Sequence, residues 1–231
     1  MTKKIELSIY NKLQELPLFQ GLGSSDMTWI IDKIKFDFSK YRNGETIVRQ
    51  NSACDSIIFI LNGNVEMETV SYDNQFIFRE LLPSPTVIEP EVLFGPRTRY
   101  THSFVAVSDV GALNISKSEF WESLLEYEVF RLNFINMISA QAQNANKMLW
   151  QPTGGTLRER FIRFIASHSR RPSGPKRIKV KMEDLANQFC ETRINVSKVL
   201  NELQDEGMIV LKRSIIEIPY LENLIRLLQQ S

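Results

Sequence analysis

The strongest restriction on the fold is a change of period near residue 115. From Phe36 to about Ile115 the apolar residues come in short β-rich runs: ETIV, SIIFIL, VEMETV, FIFREL, SFVAV and GALNI. Turn signals separate them, at Asn43-Gly44, Asn62-Gly63, Asp73-Asn74, Pro83-Ser84-Pro85 and Gly95-Pro96. Many short strands divided in this way predict an antiparallel sandwich or barrel. After Ser116 no Gly or Pro occurs until Pro152, and Ser116 with Glu119 has capping-box spacing. A helix of about 30 residues would be about 45 Å long. Phe134, Ile138, Ala142, Ala145 and Leu149 are spaced 4, 4, 3 and 4 along it. That spacing predicts a seam for a second copy of the chain; packing against its own domain is the other reading.

Two helical regions flank these. Residues 1–30 read as helical, with Leu13, Leu16, Leu18 and Phe19 near a break at Gly21-Leu22-Gly23. Beyond a hinge at Pro152-Thr-Gly-Gly155 comes TLRERFIRFIASHS, a Pro/Gly loop RRPSGPKR, then KMEDLANQF and CETRINVSKVLNEL. MIVLK-RS-IIEI reads as a two-strand hairpin, and a terminal helix follows. The expected organisation is α+β: a sensor-like β domain over 1–115, a dimerisation helix and hinge over 116–152, and a helical unit with a hairpin over 153–231.

On a helical wheel, Val196, Val199, Leu200 and Leu203 fall within about 100° of arc. Ile194, Lys198 and Asn201 lie opposite, with Arg193 and Ser197 on the flank. Leu185, Ala186 and Phe189 give the preceding segment its own apolar side, and Thr192 fits an N-cap. Two helices joined by so short a turn form a helix-turn-helix, and the hairpin behind them reads as a wing. The second helix would offer Thr192, Arg193, Ile194, Asn195, Ser197 and Lys198 to a major groove, where Arg grips guanine and Asn pairs with adenine. Charge supports this. Residues 151–231 hold 14 Lys+Arg against 9 Asp+Glu, and the rest of the chain 14 against 18. Nine basic residues and one acid lie between Arg158 and Lys181, which predicts a phosphate-facing surface.

Other classes find less support. Two cysteines, Cys54 and Cys190, supply neither a disulfide framework nor a metal site. No metal-ligand spacing, P-loop, GxGxxG or nucleophile–base constellation occurs, so no enzyme is expected. The N-terminus lacks the apolar core of a signal peptide and no run is long enough to span a bilayer. The expectation is a cytoplasmic protein without a membrane partner. A rival reading makes the C-terminal unit a tail that docks a sensor module onto a protein instead of DNA.

The stretches YRNGETIVRQNSACDSIIFILNGNVEMETVSYDNQFIFRELL and VKMEDLANQFCETRINVSKVLNELQDEGMIVL resemble the cyclic-AMP receptor protein / fumarate-nitrate reductase regulator family of bacterial transcription factors. The resemblance implies a double-stranded β-helix (jelly-roll) sensor barrel with turns at Gly44 and Gly63, a long dimerisation helix and a winged helix-turn-helix. It implies a homodimer on a near-palindromic double-stranded DNA site, with RNA polymerase as a further partner. Where cyclic-AMP binders read their half-site with Arg, Glu and a second Arg, this chain has Arg193, Ile194 and Lys198, so its half-site should differ. Cys190 stands where Gly is usual and Glu191 where an apolar residue is usual. The nucleotide cassette departs further. Its Gly-Glu aligns with Glu89-Pro90, its Arg-Ser/Thr with Tyr100-Thr101, and the adenine-facing Thr-Ser of the dimer helix with Ala145-Asn146. Use of Glu91 and Arg99 in its place would need a shift of strand register. Glu91, Arg99, Tyr100, Thr101, Ala145 and Asn146 are the positions that would line an effector pocket, and cAMP is not expected there. An iron–sulfur cluster lacks its cysteines, and His102 has no evident partner as a haem ligand. His102 and His168 read as structural, and Cys54 as a loop thiol. No cofactor is expected; an unidentified small-molecule effector, or none, is left open.

Overall fold

The computed structural model describes residues 10–149 and 154–228. Residues 1–9 of the N-terminal segment, Pro152 and Thr153 of the hinge, and the side chain of Leu149 lie outside the described residues. Two compact units emerge: Met1–Val65 with Leu82–Lys147, and Glu66–Leu81 with Met148–Ser231.

In the first unit, β1 (Asp37–Tyr41), β8 (Val110–Ser116), β3 (Ser56–Asn62) and β6 (Thr86–Ile88) form an antiparallel sheet in the order β1-β8-β3-β6. β2 (Thr46–Val48) pairs with β7 (Ser103–Ala106). The short runs thus form the antiparallel roll expected. β1 and β6 add to the expected strands; DFSKY is mostly polar, and TVI is only three residues long beside the Pro83-Ser84-Pro85 turn signal. Before the sheet come α1 (residues 10–14) and α2 (Ser24–Lys33), on either side of the expected break.

One correction concerns the long helix. It is two: α3 (Lys117–Glu122) and α4 (Glu128–Leu149), with a 3₁₀ turn at Leu124–Glu126 between them. Ser116 does cap α3, accepting from the Glu119 N–H at 3.2 Å. Phe120, Leu124 and Phe130 are all fully buried. On an unbroken helix Phe130 would lie about 120° around the axis from Leu124, so the break lets both face the core. α4 alone, at 22 residues, is about 33 Å long. Its first turns are held by a chain of edge-to-face rings, Phe59–Phe19 at 5.5 Å, Phe19–Phe130 at 5.1 Å and Phe130–Phe120 at 5.6 Å.

The second unit holds α5 (Leu157–His168), α6 (Met182–Gln188), α7 (Arg193–Asp205) and α8 (Leu221–Leu227). They pack around Phe161, Ile165, Leu185, Leu200, Leu203 and Leu221. The wing is present as β10 (Val210–Lys212) and β11 (Ile215–Ile218). β9 (Lys176–Val180) forms within what reads in the sequence as a loop and its flank. Its residues alternate buried and exposed, with Lys176, Ile178 and Val180 inward. A lysine at a buried position hides the period-2 signal. Beside β9 lies β5 (Phe76–Pro83), whose hairpin partner is β4 (Asn64–Val70), giving the order β10-β11-β9-β5-β4.

Gly44 and Gly63 share a left-handed φ of 87° but differ in surroundings. A Cβ at Gly63 would lie 2.3 Å from the Asp109 carbonyl oxygen; at Gly44 nothing lies within 4 Å. Gly44→Ala should therefore cost only the backbone strain, about 1–2 kcal/mol. Gly63→Ala should cost clearly more, because backbone must move. Urea unfolding of both variants checks this; equal costs would show that the close approach of Asp109 is not what requires glycine.

Candidate functional site

The helix-turn-helix is built from the turn outward. The Cys190 backbone is left-handed, φ 51°, a conformation that favours glycine and is strained for a side chain. The Cys190 side chain itself is exposed, so the strain lies in its own backbone. Arg160 of α5 then secures the turn. Its Nη1 donates to the Phe189 carbonyl at 2.8 Å and its Nη2 to Glu191 Oε1 at 2.5 Å. Glu191 Oε2 accepts from Asn195 Nδ2 at 3.1 Å. The Asn195 and Arg160 hydrogen bonds hold the Glu191 carboxyl below its ordinary value. A polar clamp thus stands at Glu191, where the resemblance led to the expectation of an apolar residue. Thr192 closes the N-terminus of α7, accepting from the Asn195 N–H at 3.2 Å.

α7 buries Val196, Leu200 and Leu203, the stripe expected from the wheel. Arg193, Ile194 and Lys198 are exposed, Ile194 to 79%. Arg193 lies 3.5 Å from Glu183 Oε1 in a solvent-exposed pair, which holds it only weakly. Ser197 is half-buried and accepts from Asn201 at 3.4 Å. Three of the expected base readers are engaged within the unit: the Asn195 amide by Glu191, the Thr192 hydroxyl in the cap and the Ser197 hydroxyl by Asn201. An open cleft of about 340 Å³ separates the wing from α6 and α7, lined by Lys181, Met182, Glu183, Arg193, Lys212 and Ser214 among others.

The expected phosphate-facing run from Arg158 to Lys181 needs correction. Arg158 forms a two-pronged pair with Glu206, Arg160 holds the turn, and Arg163 pairs with Glu159 at 3.1 Å. Lys176 is buried and paired with Glu80. Each of these carboxylates gives an arginine or lysine a closer partner than solvent phosphate. Arg171, Lys179 and Lys181 are members of the run whose side chains face solvent.

The sensor cassette in the first unit is closed on itself. Glu89, fully buried, has a left-handed backbone, φ 34°. Its carboxylate accepts from the Thr101 N–H at 2.9 Å, from the Thr101 hydroxyl, and from His102 Nδ1. Burial pushes the Glu89 carboxyl up, but the His102 and Thr101 hydrogen bonds outweigh it and leave it below the usual carboxylate value. His102 therefore has a partner that the sequence did not reveal. Tyr100 is buried, its hydroxyl donating to the Ser56 carbonyl at 3.2 Å. Arg99 is exposed and donates to the Asn51 carbonyl at 2.7 Å. Gln50, Asn51, Arg97, Thr98, Arg99 and Thr101 help line a shallow cavity of about 480 Å³. Glu91 is half-buried, while Ala145 and Asn146 are exposed on α4. Cys54 is buried, and burial raises its thiol pKa, which disfavours the reactive thiolate.

The residues expected to form a seam on α4 differ in exposure. Phe134 packs edge-to-face on Phe120 at 5.1 Å and Phe94 at 6.2 Å, inside its own unit. Its neighbours Leu132 and Ile135 are exposed, at 56% and 52%. Ile138 is half-buried and Ala142 exposed. His168 is held within its own unit, tilted against Phe164 with ring centroids 4.4 Å apart and Nδ1 2.7 Å from the Phe164 carbonyl oxygen. Among the described residues no group of His, Cys, Asp and Glu could hold a metal, and no helix is long and apolar enough to cross a membrane.

Residues 38–127 match a cyclic nucleotide-binding domain and residues 159–227 a Crp-like helix-turn-helix domain. No curated protein sequence matches the chain. The catabolite activator protein of Thermus thermophilus is similar in structure, with TM-score 0.53 and 19% identity over 91% of this chain and 96% of that one. The sensor domain of the transcriptional regulator DNR from Pseudomonas aeruginosa aligns with TM-score 0.51 and 13% identity, covering 67% of this chain and 99% of that one. At such identities these two likenesses speak to the fold alone. The two matched domains stand in the same order as the sensor roll and the helix-turn-helix described above, and the chain belongs to the Crp/Fnr family of transcription regulators.

Proposed function

We propose that the chain is a homodimeric, sequence-specific DNA-binding regulator that does not respond to cAMP. The exposed edge of α7 carries this reading. Arg193, Ile194 and Lys198 face solvent on a capped helix whose other side is locked into a core. Arg193 is free to leave its exposed partner Glu183 for a guanine edge. Ile194 offers an apolar contact suited to a thymine methyl. Fluorescence anisotropy with duplex DNA tests this. Arg193→Ala should cost about 1–3 kcal/mol on the preferred duplex and relax the preference at one base pair. Full affinity with unchanged preference would contradict the assignment.

Exposed basic groups should act differently. Substituting Arg171, Lys179 or Lys181 by Gln should weaken binding to all duplexes alike. The salt slope should fall by about one unit for each phosphate that is no longer neutralised. A sequence-dependent loss would place that residue at a base instead.

Dimerisation is supported by the apolar row left open on α4. Ile135, Ile138, Ala142 and Ala145 are spaced 3, 4 and 3, a heptad pattern. Ile135 replaces Phe134 in the seam because Phe134 is engaged in its own core. Ile135→Asp should give a folded monomer in sedimentation and lose high-affinity DNA binding, since two half-sites are then no longer bound together. An unchanged dimer would move the seam elsewhere.

Against cAMP stands Thr101, where the cassette's Ser/Thr aligns: it already donates twice to Glu89. A phosphate there would meet a buried carboxylate, a like charge at short range. Tyr100 brings no positive charge in return. Calorimetry should show no saturable heat with millimolar cAMP; saturable binding would overturn this part of the reading.

A further inference from the structure

The hairpin of β4 and β5 lies inside the stretch matched as the cyclic nucleotide-binding domain, yet residues 66–81 pack as part of the DNA-binding unit. Three independent features join it there. First, β5 is an antiparallel strand on the edge of β9, in register from Phe76 opposite Val180 to Glu80 opposite Lys176. Second, Phe78 is 1% exposed within the core of that unit. Phe76 packs on Phe164 at 5.5 Å and on His168 at 5.6 Å. Third, a ladder of ion pairs crosses the sheet. Glu68 meets Arg79 at 2.7 Å, Arg79 meets Glu66 at 3.5 Å, Glu66 meets Arg177 of β9 at 3.9 Å, and Arg177 meets Glu217 of β11 at 3.6 Å.

Glu80 is the most telling residue. It is fully buried and 3.2 Å from the ammonium of Lys176, itself 3% exposed. The same carboxylate accepts the backbone N–H groups of Arg170 at 2.8 Å and Arg171 at 3.0 Å. Lys176 in turn donates to the Ser173 carbonyl at 2.8 Å. A buried charge must be paired and hydrogen-bonded. These four bonds therefore fix the path of residues 170–176, the loop that leads from α5 into β9, the strand paired with β11 of the wing.

We propose that this hairpin is a detachable part of the DNA-binding unit. Docked, it completes the sheet beneath the wing, and Glu80 positions the basic loop. Withdrawn, it leaves Lys176 unpaired, the β9 edge open and the core without Phe78. The sensor stretch thus governs DNA affinity by supplying or withholding a strand, through its chain connections at Val65 and Leu82. Glu80 is a positioning residue that touches no DNA. The coupling rests on the DNA-binding reading; the docking does not.

The test uses the full chain and the variants Glu80→Gln, Lys176→Met and the double variant. Backbone amide exchange is followed without DNA and with the duplex selected from a random pool. Each single variant should speed exchange at 76–80 and 176–180 together, by at least tenfold, and weaken DNA binding by at least tenfold. The double variant, with neither charge left unpaired, should recover most of both losses. In the wild type, saturating duplex should slow exchange at 76–80, as reciprocity between docking and DNA binding requires. Faster exchange with DNA affinity unchanged would overturn the coupling. Independent exchange of the two strands would overturn the docking. Wild-type protein that binds no duplex would overturn the DNA-binding reading and with it the coupling. That failure is told apart from a failure of docking by the exchange data, which need no DNA.

Discussion

What the recognition helix can present depends on how one short turn is held. Cys190 sits in a left-handed conformation that its side chain disfavours, so the turn needs outside support. Arg160 provides it, with one nitrogen on the Phe189 carbonyl and another on Glu191. Glu191 passes the constraint to Asn195, and Thr192 caps the same first turn of α7. With the turn fixed, Val196, Leu200 and Leu203 enter the core and the opposite edge faces outward. The chemistry of that edge, one guanidinium, one ammonium and one bare isoleucine, follows from the position of the turn.

Buried carboxylates organise both units. Glu89 in the sensor unit and Glu80 in the DNA-binding unit are each inaccessible to solvent. Each would be costly to bury alone, and each is met by several donors. Glu89 uses donors of Thr101 and His102, so these bonds within the roll also occupy residues that the sequence assigns to an effector pocket. Glu80 ties a segment of sensor sequence to the loop before β9. Charge here does structural work first, and its functional consequences come from where it is placed.

The sequence showed six of the strands before α3, the capped first turn after Ser116, the apolar stripe of α7 and the wing, because each follows a period or a turn rule within a few residues. What it hid was long-range. β9 was obscured because Lys176 occupies an inward position that only Glu80, far away in the chain, makes tolerable. Phe134 has the spacing of a seam residue, but Phe94 and Phe120 claim it, which leaves Ile135 outward. Asn195 has the side chain of a base reader, and only the three-dimensional position of Glu191 shows it engaged elsewhere. His102 lacked a partner in the sequence because Glu89 meets it from another part of the roll. The nine-member basic run shrank for the same reason: carboxylates brought in by the fold claim several of its members.

The most direct test of sequence-specific DNA binding is a selection of purified full-length protein against random duplex DNA at several salt concentrations. An inverted repeat should be enriched, with half-sites about one helical turn apart and affinity that falls steeply with salt. Recovery of no preferred sequence, with binding that ignores salt, would contradict it.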